Sequence, residues 1–293
     1  MRSLLAETLR WLVGVVVLAA GLPGCASHPP VPPAAIQLNE AGARALAGGE
    51  FEVAAARLAL AIEYSPRFTE AWVNLGLLQL ERGEREAARR TLRHARVLNP
   101  NLPAPHHALG LWAEAHDKLS EAEAHYRAAL KVDPGFPPSR ANLGRLLFKR
   151  AAWDEAREQF LRLTEVAPGE SVGFVGLVES YLRQGRVGDG DAALDTALRH
   201  FPEAPEVLLL AARRQIRQGR YAEAERELAR IAGEASTDAH RAVALSFLAV
   251  AQWARGDAAT STSTARAALI IDPNQDVARY VLAQTGASPP LAR

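Results

Sequence analysis

Five histidines, His94, His106, His107, His116 and His125, fall close together in the chain and raise the question of a metal site. Imidazole is a common ligand for zinc and copper, but the ligands must converge on one point. On a helix His106 and His107 point about 100° apart, and His116, nine residues past His107, points roughly 180° round. No pair stands at i, i+4 and no cysteine accompanies them, so the spacing predicts no metal centre. Nucleophilic chemistry has no better basis. The chain contains neither a G-x-S-x-G elbow nor a G-x-x-x-x-G-K-[ST] phosphate loop. Gly188-Asp189-Gly190 reads as a flexible or distorted turn at the start of a helix. Paired acids such as Glu121 and Glu123 lie two apart, do not share a helix face, and read as solvated charge. The expectation is a protein with no catalytic residues, no metal and no dissociable cofactor, and hence no enzyme.

The single cysteine, Cys25, has a different explanation. Arg2 and Arg10, partly offset by Glu7, precede an uncharged and mostly apolar run from Trp11 to Leu22. That run is shorter than the ~20 residues needed to cross a bilayer but suits the apolar core of a signal peptide. Leu22-Pro23-Gly24-Cys25 then resembles the bacterial lipobox, with Pro23 where that pattern has a small residue. The resemblance implies a signal peptide at 1–24 and a thioether-linked diacylglycerol on Cys25, with an acyl chain on the new amino terminus. Two or three chains hold a protein to a bilayer stably where one does not. Ala26, in place of an aspartate, points by the same resemblance to the outer membrane of a Gram-negative cell, with the chain facing the periplasm. The run alone also fits an ordinary cleaved signal peptide or an uncleaved anchor. A lone thiol with no partner suits an oxidising compartment. Residues 25–34, with four prolines between Ala26 and Ala34, read as an extended spacer of about 25 Å.

Net charge is +1, and without residues 1–24 the basic and acidic residues are equal in number. Nucleic acid wants a basic excess, so it is not expected as a partner. One local excess does exist. Arg85, Arg89, Arg93 and Arg96 are spaced 4, 4 and 3 along one helix face, with Glu84 and Glu86 beside them. The stripe reads either as a solvated face or as a patch for anionic lipid headgroups or an acidic partner.

The elements that carry these residues repeat. Pro66, Pro100, Pro134, Pro168 and Pro202 are each 34 residues apart. The stretch Thr69 to Pro100 places Trp72, Leu75, Gly76, Gly83, Ala88, Leu92, Ala95 and Pro100 at positions 4, 7, 8, 15, 20, 24, 27 and 32 of a unit counted from Thr69. The spacing is similar to the W-x2-L-G…A-x3-F…P pattern of the tetratricopeptide repeat, a pair of helices joined by a turn. His106 falls at position 4, in place of its aromatic residue. Units follow at 35–68, 69–102, 103–136, 137–170, 171–204, 205–241 and 242–275. The sixth absorbs about three extra residues near Gly233–Asp238. Residues 276–285 read as a capping helix and 286–293 as a disordered tail. Positions 8 and 20 are small because the two helices of a unit touch there. Position 15 takes glycine for a positive φ in the turn, and the proline at 32 ends the second helix. The fold class expected is all-α, a right-handed superhelix of about seven such repeats with a C-terminal capping helix.

The resemblance implies a concave groove lined by the first helix of each repeat, at positions 2, 5, 9, 12 and 13. These include Val73, Leu77, Leu80, His107, Leu111, Arg145, Phe148 and Lys149, then Glu179, Arg183, Arg213 and Arg217. Leu77, Leu80, Leu111 and Phe148 either form an exposed apolar patch for a peptide or are buried between adjacent first helices. In the first case the later arginines would hold the peptide's carboxylates. A chaperone-tail carboxylate clamp is excluded, because position 5 holds Asn39, Val73, His107, Ala141, Val175 and Leu209, with no lysine. The lipobox ahead of such repeats resembles the pilotin lipoproteins of type IV pilus systems. That resemblance implies a periplasmic scaffold with a protein partner, a secretin or another envelope-complex subunit. The alternative is an adaptor that regulates cell-wall enzymes or polysaccharide export.

Overall fold

The computed structural model describes residues 30–235 and 237–286. The signal peptide, Cys25, the spacer up to Pro29 and the tail after Gly286 lie outside them. Among the described residues there are fifteen helices and no strand. They are α1 (Pro33–Ala47), α2 (Phe51–Tyr64), α3 (Thr69–Glu81), α4 (Arg85–Leu98), α5 (Pro103–Glu114), α6 (Leu119–Val132), α7 (Pro137–Lys149) and α8 (Trp153–Val166), then α9 (Ser171–Arg183), α10 (Val187–His200), α11 (Pro205–Arg217), α12 (Tyr221–Glu234), α13 (Asp238–Ala254), α14 (Ala258–Ile271) and α15 (Asp276–Gln284). Odd-numbered helices up to α13 open a repeat and even-numbered ones close it. The chain divides after Val166 into two compact units, α1–α8 and α9–α15. Each is an all-α stack of helix pairs.

Why the chain turns where it does is visible in the backbone. Position 15 has positive φ in every repeat: Gly49, Gly83, Asp117, Ala151, Gly185, Gly219 and Gly256. At each, the next residue's N–H reaches back five residues, as from Glu84 to Gln79 O (2.8 Å), Lys118 to Ala113 O (2.9 Å) and Arg220 to Gln215 O (2.9 Å). This closes the first helix and satisfies its last carbonyls. Proline then starts α5, α7 and α11 at the first helical position, where its missing N–H has no partner to lose. The carbonyl of the inter-repeat proline is also used. Trp72 Nε1 donates to Pro66 O at 2.8 Å, Arg140 to Pro134 O, and Arg279 to Pro273 O at 2.5 Å, each from position 4 of the next helix.

Within the first unit a Cβ added at Gly42, Gly76, Gly110 or Gly144 would lie 2.8, 2.5, 2.4 or 2.9 Å from Leu58, Leu92, Tyr126 or Phe160. The small residue at position 8 therefore seats the large one at position 24. Ala54, Ala88, Ala122 and Ala156 at position 20 are fully buried. In the second unit Phe174, Val178, Leu194, Ala197, Val207 and Leu210 join α9, α10 and α11 in one core.

The extra residues of the sixth repeat fall between its second helix and the helix that opens the seventh. α12 ends at Glu234, its regular place, and α13 begins early at Asp238, capped by Thr237, whose side chain accepts from His240 N at 3.2 Å. The insertion has become an added turn of helix. Gly188-Asp189-Gly190 is not a distorted turn but regular helix at the start of α10, with Asp189 paired to Arg186 at 2.7 Å. Gly190 there fills the small slot at position 20, since a Cβ would meet Leu182 at 3.0 Å. α15 covers α13 and α14, burying Ala278, Val281 and Leu282 against Ala249, Ala265, Ala268 and Leu269.

Candidate functional site

The opening helices do not present the apolar patch that the repeat pattern allowed. Val73, Leu77 and Leu80 on α3 and His107 and Leu111 on α5 are all buried. Successive opening helices pack closely enough to enclose positions 5 and 9. Phe148 is half-buried, its ring edge-on to Trp153 at 4.8 Å. Leu77, Leu80 and Leu111 are thus core residues and contribute no docking surface.

His107 belongs to that core. Its Nδ1 lies 3.0 Å from Ser139 Oγ, and its ring sits between Tyr126 at 5.6 Å and Phe136 at 5.7 Å. Burial first, then the nearby Arg145 charge, lowers its pKa to about 3, so it is neutral at any ordinary pH. The other histidines serve as packing groups. His116 stacks on Trp112 at 4.4 Å and bonds Trp112 O through Nδ1 at 2.6 Å, and His94 meets Trp72 edge-on at 4.6 Å. Among the described residues no three His, Cys, Asp or Glu side chains converge as metal ligands would.

What the first unit does present is a charged cluster built across three helices. Glu114 closes α5, and its Oε2 accepts from the Tyr126 hydroxyl of α6 at 2.9 Å. Its Oε1 faces two cations of α7, Lys149 Nζ at 3.4 Å and Arg145 at 3.8 Å. One carboxylate serves two cations at loose distances, and half its capacity is taken by a phenol. The Arg145 Nε is buried without a partner. Lys149 is half-exposed, with 52 % of its side chain open to solvent. The cluster therefore has a surplus positive charge at a wetted edge, which suits a carboxylate brought by another chain.

In the second unit the charges are already matched. Arg213 on α11 forks onto both oxygens of Glu179 on α9, the longer contact being 3.4 Å, and lies over the Phe247 ring at 5.0 Å. Arg217 pairs with Asp191 and Arg214 with Asp195, both at 2.5 Å. Arg183 stands exposed at the end of α9. The expectation that Arg213 and Arg217 wait for a partner's carboxylates is corrected: internal carboxylates hold them. The repeat reading did not foresee the part played by Tyr126, Asp191, Asp195 or Phe247. A signal did exist, because residues one repeat apart meet. Glu179 and Arg213 differ by 34 in number, and Glu114 and Lys149, like the hydrogen-bonded buried pair Asn39 and Asn74 (2.8 Å), by 35.

The helix pairs, the recurring positive φ and the 34-residue period define a class, and comparison with known families agrees. Tetratricopeptide-repeat profiles match residues 39–103, 113–172 and 181–246. The chain belongs to the tetratricopeptide repeat family. Among curated proteins it is similar to the type IV pilus assembly protein PilF of Pseudomonas aeruginosa, with 27 % identity over 142 residues, 48 % of this chain and 56 % of PilF. The chain thus spans about half the length of the curated relative it matches. Among solved structures, that of Pseudomonas aeruginosa pilF aligns with a TM-score of 0.60 at 22 % identity, over 74 % of this chain and 97 % of that one. A tetratricopeptide repeat protein of Parabacteroides merdae aligns at 0.62 and 15 % identity, over 87 % of this chain and all of the other. Yeast Tom70 aligns at 0.59 and 17 %, over 95 % of this chain and 61 % of its own. At these identities the structural likenesses establish the fold.

Proposed function

We propose that the chain is a non-enzymatic scaffold, anchored to the outer membrane through lipid on Cys25 and facing the periplasm. On this reading it binds a protein subunit of a type IV pilus machine, of the secretin kind, to assist assembly. The observation that carries the reading is the sequence likeness to PilF, a type IV pilus assembly protein. The lipobox-like residues Leu22 to Cys25 supply the anchor in this reading. The docking point is the Arg145–Lys149 edge of the first unit, where two cations share Glu114 and a partner carboxylate can take the unmatched charge.

Crosslinking and affinity capture from cell envelopes test it, with Arg145→Glu/Lys149→Glu as the comparison variant. A secretin or other pilus subunit is expected with the unaltered chain and lost with the variant. Peptidoglycan hydrolases or glycan synthases in its place would overturn the pilus reading. Retention of the pilus subunit by the variant would overturn the docking point.

A further inference from the structure

Among the described residues most arginines are answered by a carboxylate, and α4 carries the largest group that is not. In the first unit Arg127 pairs with Glu123 and Glu155, Arg150 with Glu123, and Arg162 with Glu165. On α4, Arg85, Arg90 and Arg93 are exposed and Arg96 half-buried, and among the described residues none of the four makes an ion pair. Glu84 and Glu86 do not neutralise them: Glu84 lies 3.9 Å from Arg82, and Glu86 makes no ion pair among the described residues. Arg89 is held over the Trp112 ring at 4.8 Å, with Glu121 at 3.9 Å, fixing the helix against its neighbours. The positive field extends onto α5 and α6. Burial, then the Arg96 charge, lowers the pKa of His106; burial, then His106, with Arg96 and Arg93 adding, lowers that of His125 although Glu121 opposes. The stripe thus disfavours protonation of both imidazoles.

We propose that this face of α4 docks on the anionic headgroups of a phospholipid bilayer. From Arg85 to Arg96 the helix rises about 16 Å, and the four arginines fall within about 140° of its circumference. A row of separate cations on one side of a rod matches a planar layer of single negative charges, which attracts basic residues by charge density alone. A protein partner would need an interface core depleted of charge, and this face offers no such centre. Its one large apolar group is Val97, 73 % exposed at the edge of the stripe. There an aliphatic side chain can enter the headgroup layer. The proposal draws on the anchored reading only for the presence of a membrane near the chain. It stands apart from the pilus partner and from the Arg145–Lys149 edge.

Partitioning onto vesicles tests it. Full-length protein is mixed at low salt with vesicles of 30 % phosphatidylglycerol in phosphatidylcholine, and separately with pure phosphatidylcholine. Any contribution from the N-terminal segment is common to every arm and cancels in the ratio. The expected result is a preference for the anionic vesicles. Arg85→Gln/Arg90→Gln/Arg93→Gln, which removes only exposed and unpaired groups, should lower that preference about a hundredfold, and raised salt should abolish it. A second variant, Arg162→Gln/Arg220→Gln/Arg230→Gln, changes net charge equally at arginines paired elsewhere and should retain most of it. No anionic preference in the unaltered protein overturns the proposal. So does equal loss in the two variants, or stripe-dependent binding to polyglutamate without binding to vesicles.

Discussion

Replacing Gly110 by alanine puts the helix-pair packing and the charged cluster to one test. In an open helix the change would stabilise by about 1 kcal/mol, because alanine is the better helix former. Here the new Cβ would lie 2.4 Å from Tyr126 Cε1, 2.6 Å from Cδ1 and 3.0 Å from Cζ. The ring has little room to yield. It is fully buried, and its hydroxyl is tied to Glu114 at 2.9 Å. Overpacking of this kind costs about 1–3 kcal/mol. Losing the hydrogen bond to a charged acceptor adds about 1.5–3 kcal/mol. Set against the helix gain, the net destabilisation is about 1.5–5 kcal/mol, a fall in melting temperature of about 3–20 °C for a chain of this size. Circular dichroism at 222 nm reads it. Gly42→Ala should cost less, since its neighbour Leu58 can change rotamer, and Gly169→Ala, with nothing within 4 Å, should cost nothing. Local opening is expected to begin in α5 and α6, because stacked repeats need not unfold together; amide exchange would show it. A Gly110→Ala protein as stable as the original would refute the assignment of position 8 as the seat of the position 24 side chain.

The turns and the buried imidazole give two further expectations. Asp117 and Ala151 hold φ of 57° and 59°, where glycine occupies the equivalent place in five other repeats. Asp117→Gly and Ala151→Gly should each stabilise by about 0.5–1 kcal/mol, and Gly83→Ala should cost about 1 kcal/mol, all read by thermal melts. His107 remains neutral in the fold down to about pH 3, whereas the unfolded chain takes up its proton near 6.5. Its contribution is therefore intact above pH 6.5 and is lost as pH falls, by an amount approaching 1.4 kcal/mol per unit (about tenfold in the folding equilibrium) until about pH 3. Urea titrations between pH 7 and 4.5 should give a shallower acid loss for His107→Gln than for the original; parallel slopes would remove His107 as the cause.

The period of the chain was legible because architecture is written in residue types. Glycine or alanine at position 8, a turn glycine at 15 and proline at 32 each answer one local demand, and those demands recur every 34 residues. The inner face was not legible in the same way, since a position in a repeat does not say how closely the next repeat approaches. Position 9 shows why. Leu77 and Leu111 fill it on α3 and α5 and are buried. Glu179 and Arg213 fill it on α9 and α11 and form an ion pair. The same inter-repeat position is closed by apolar burial on α3 and α5 and by charge between α9 and α11. Early leucines and late arginines thus looked like ligand chemistry while serving the same structural end. The exceptions are the places where that closure is left incomplete. At the end of α7, Arg145 and Lys149 share a carboxylate that already accepts from Tyr126; on α4, four arginines meet no acid. These two places on the first unit, where the repeats leave charge uncancelled, are the ones the two docking proposals rest on.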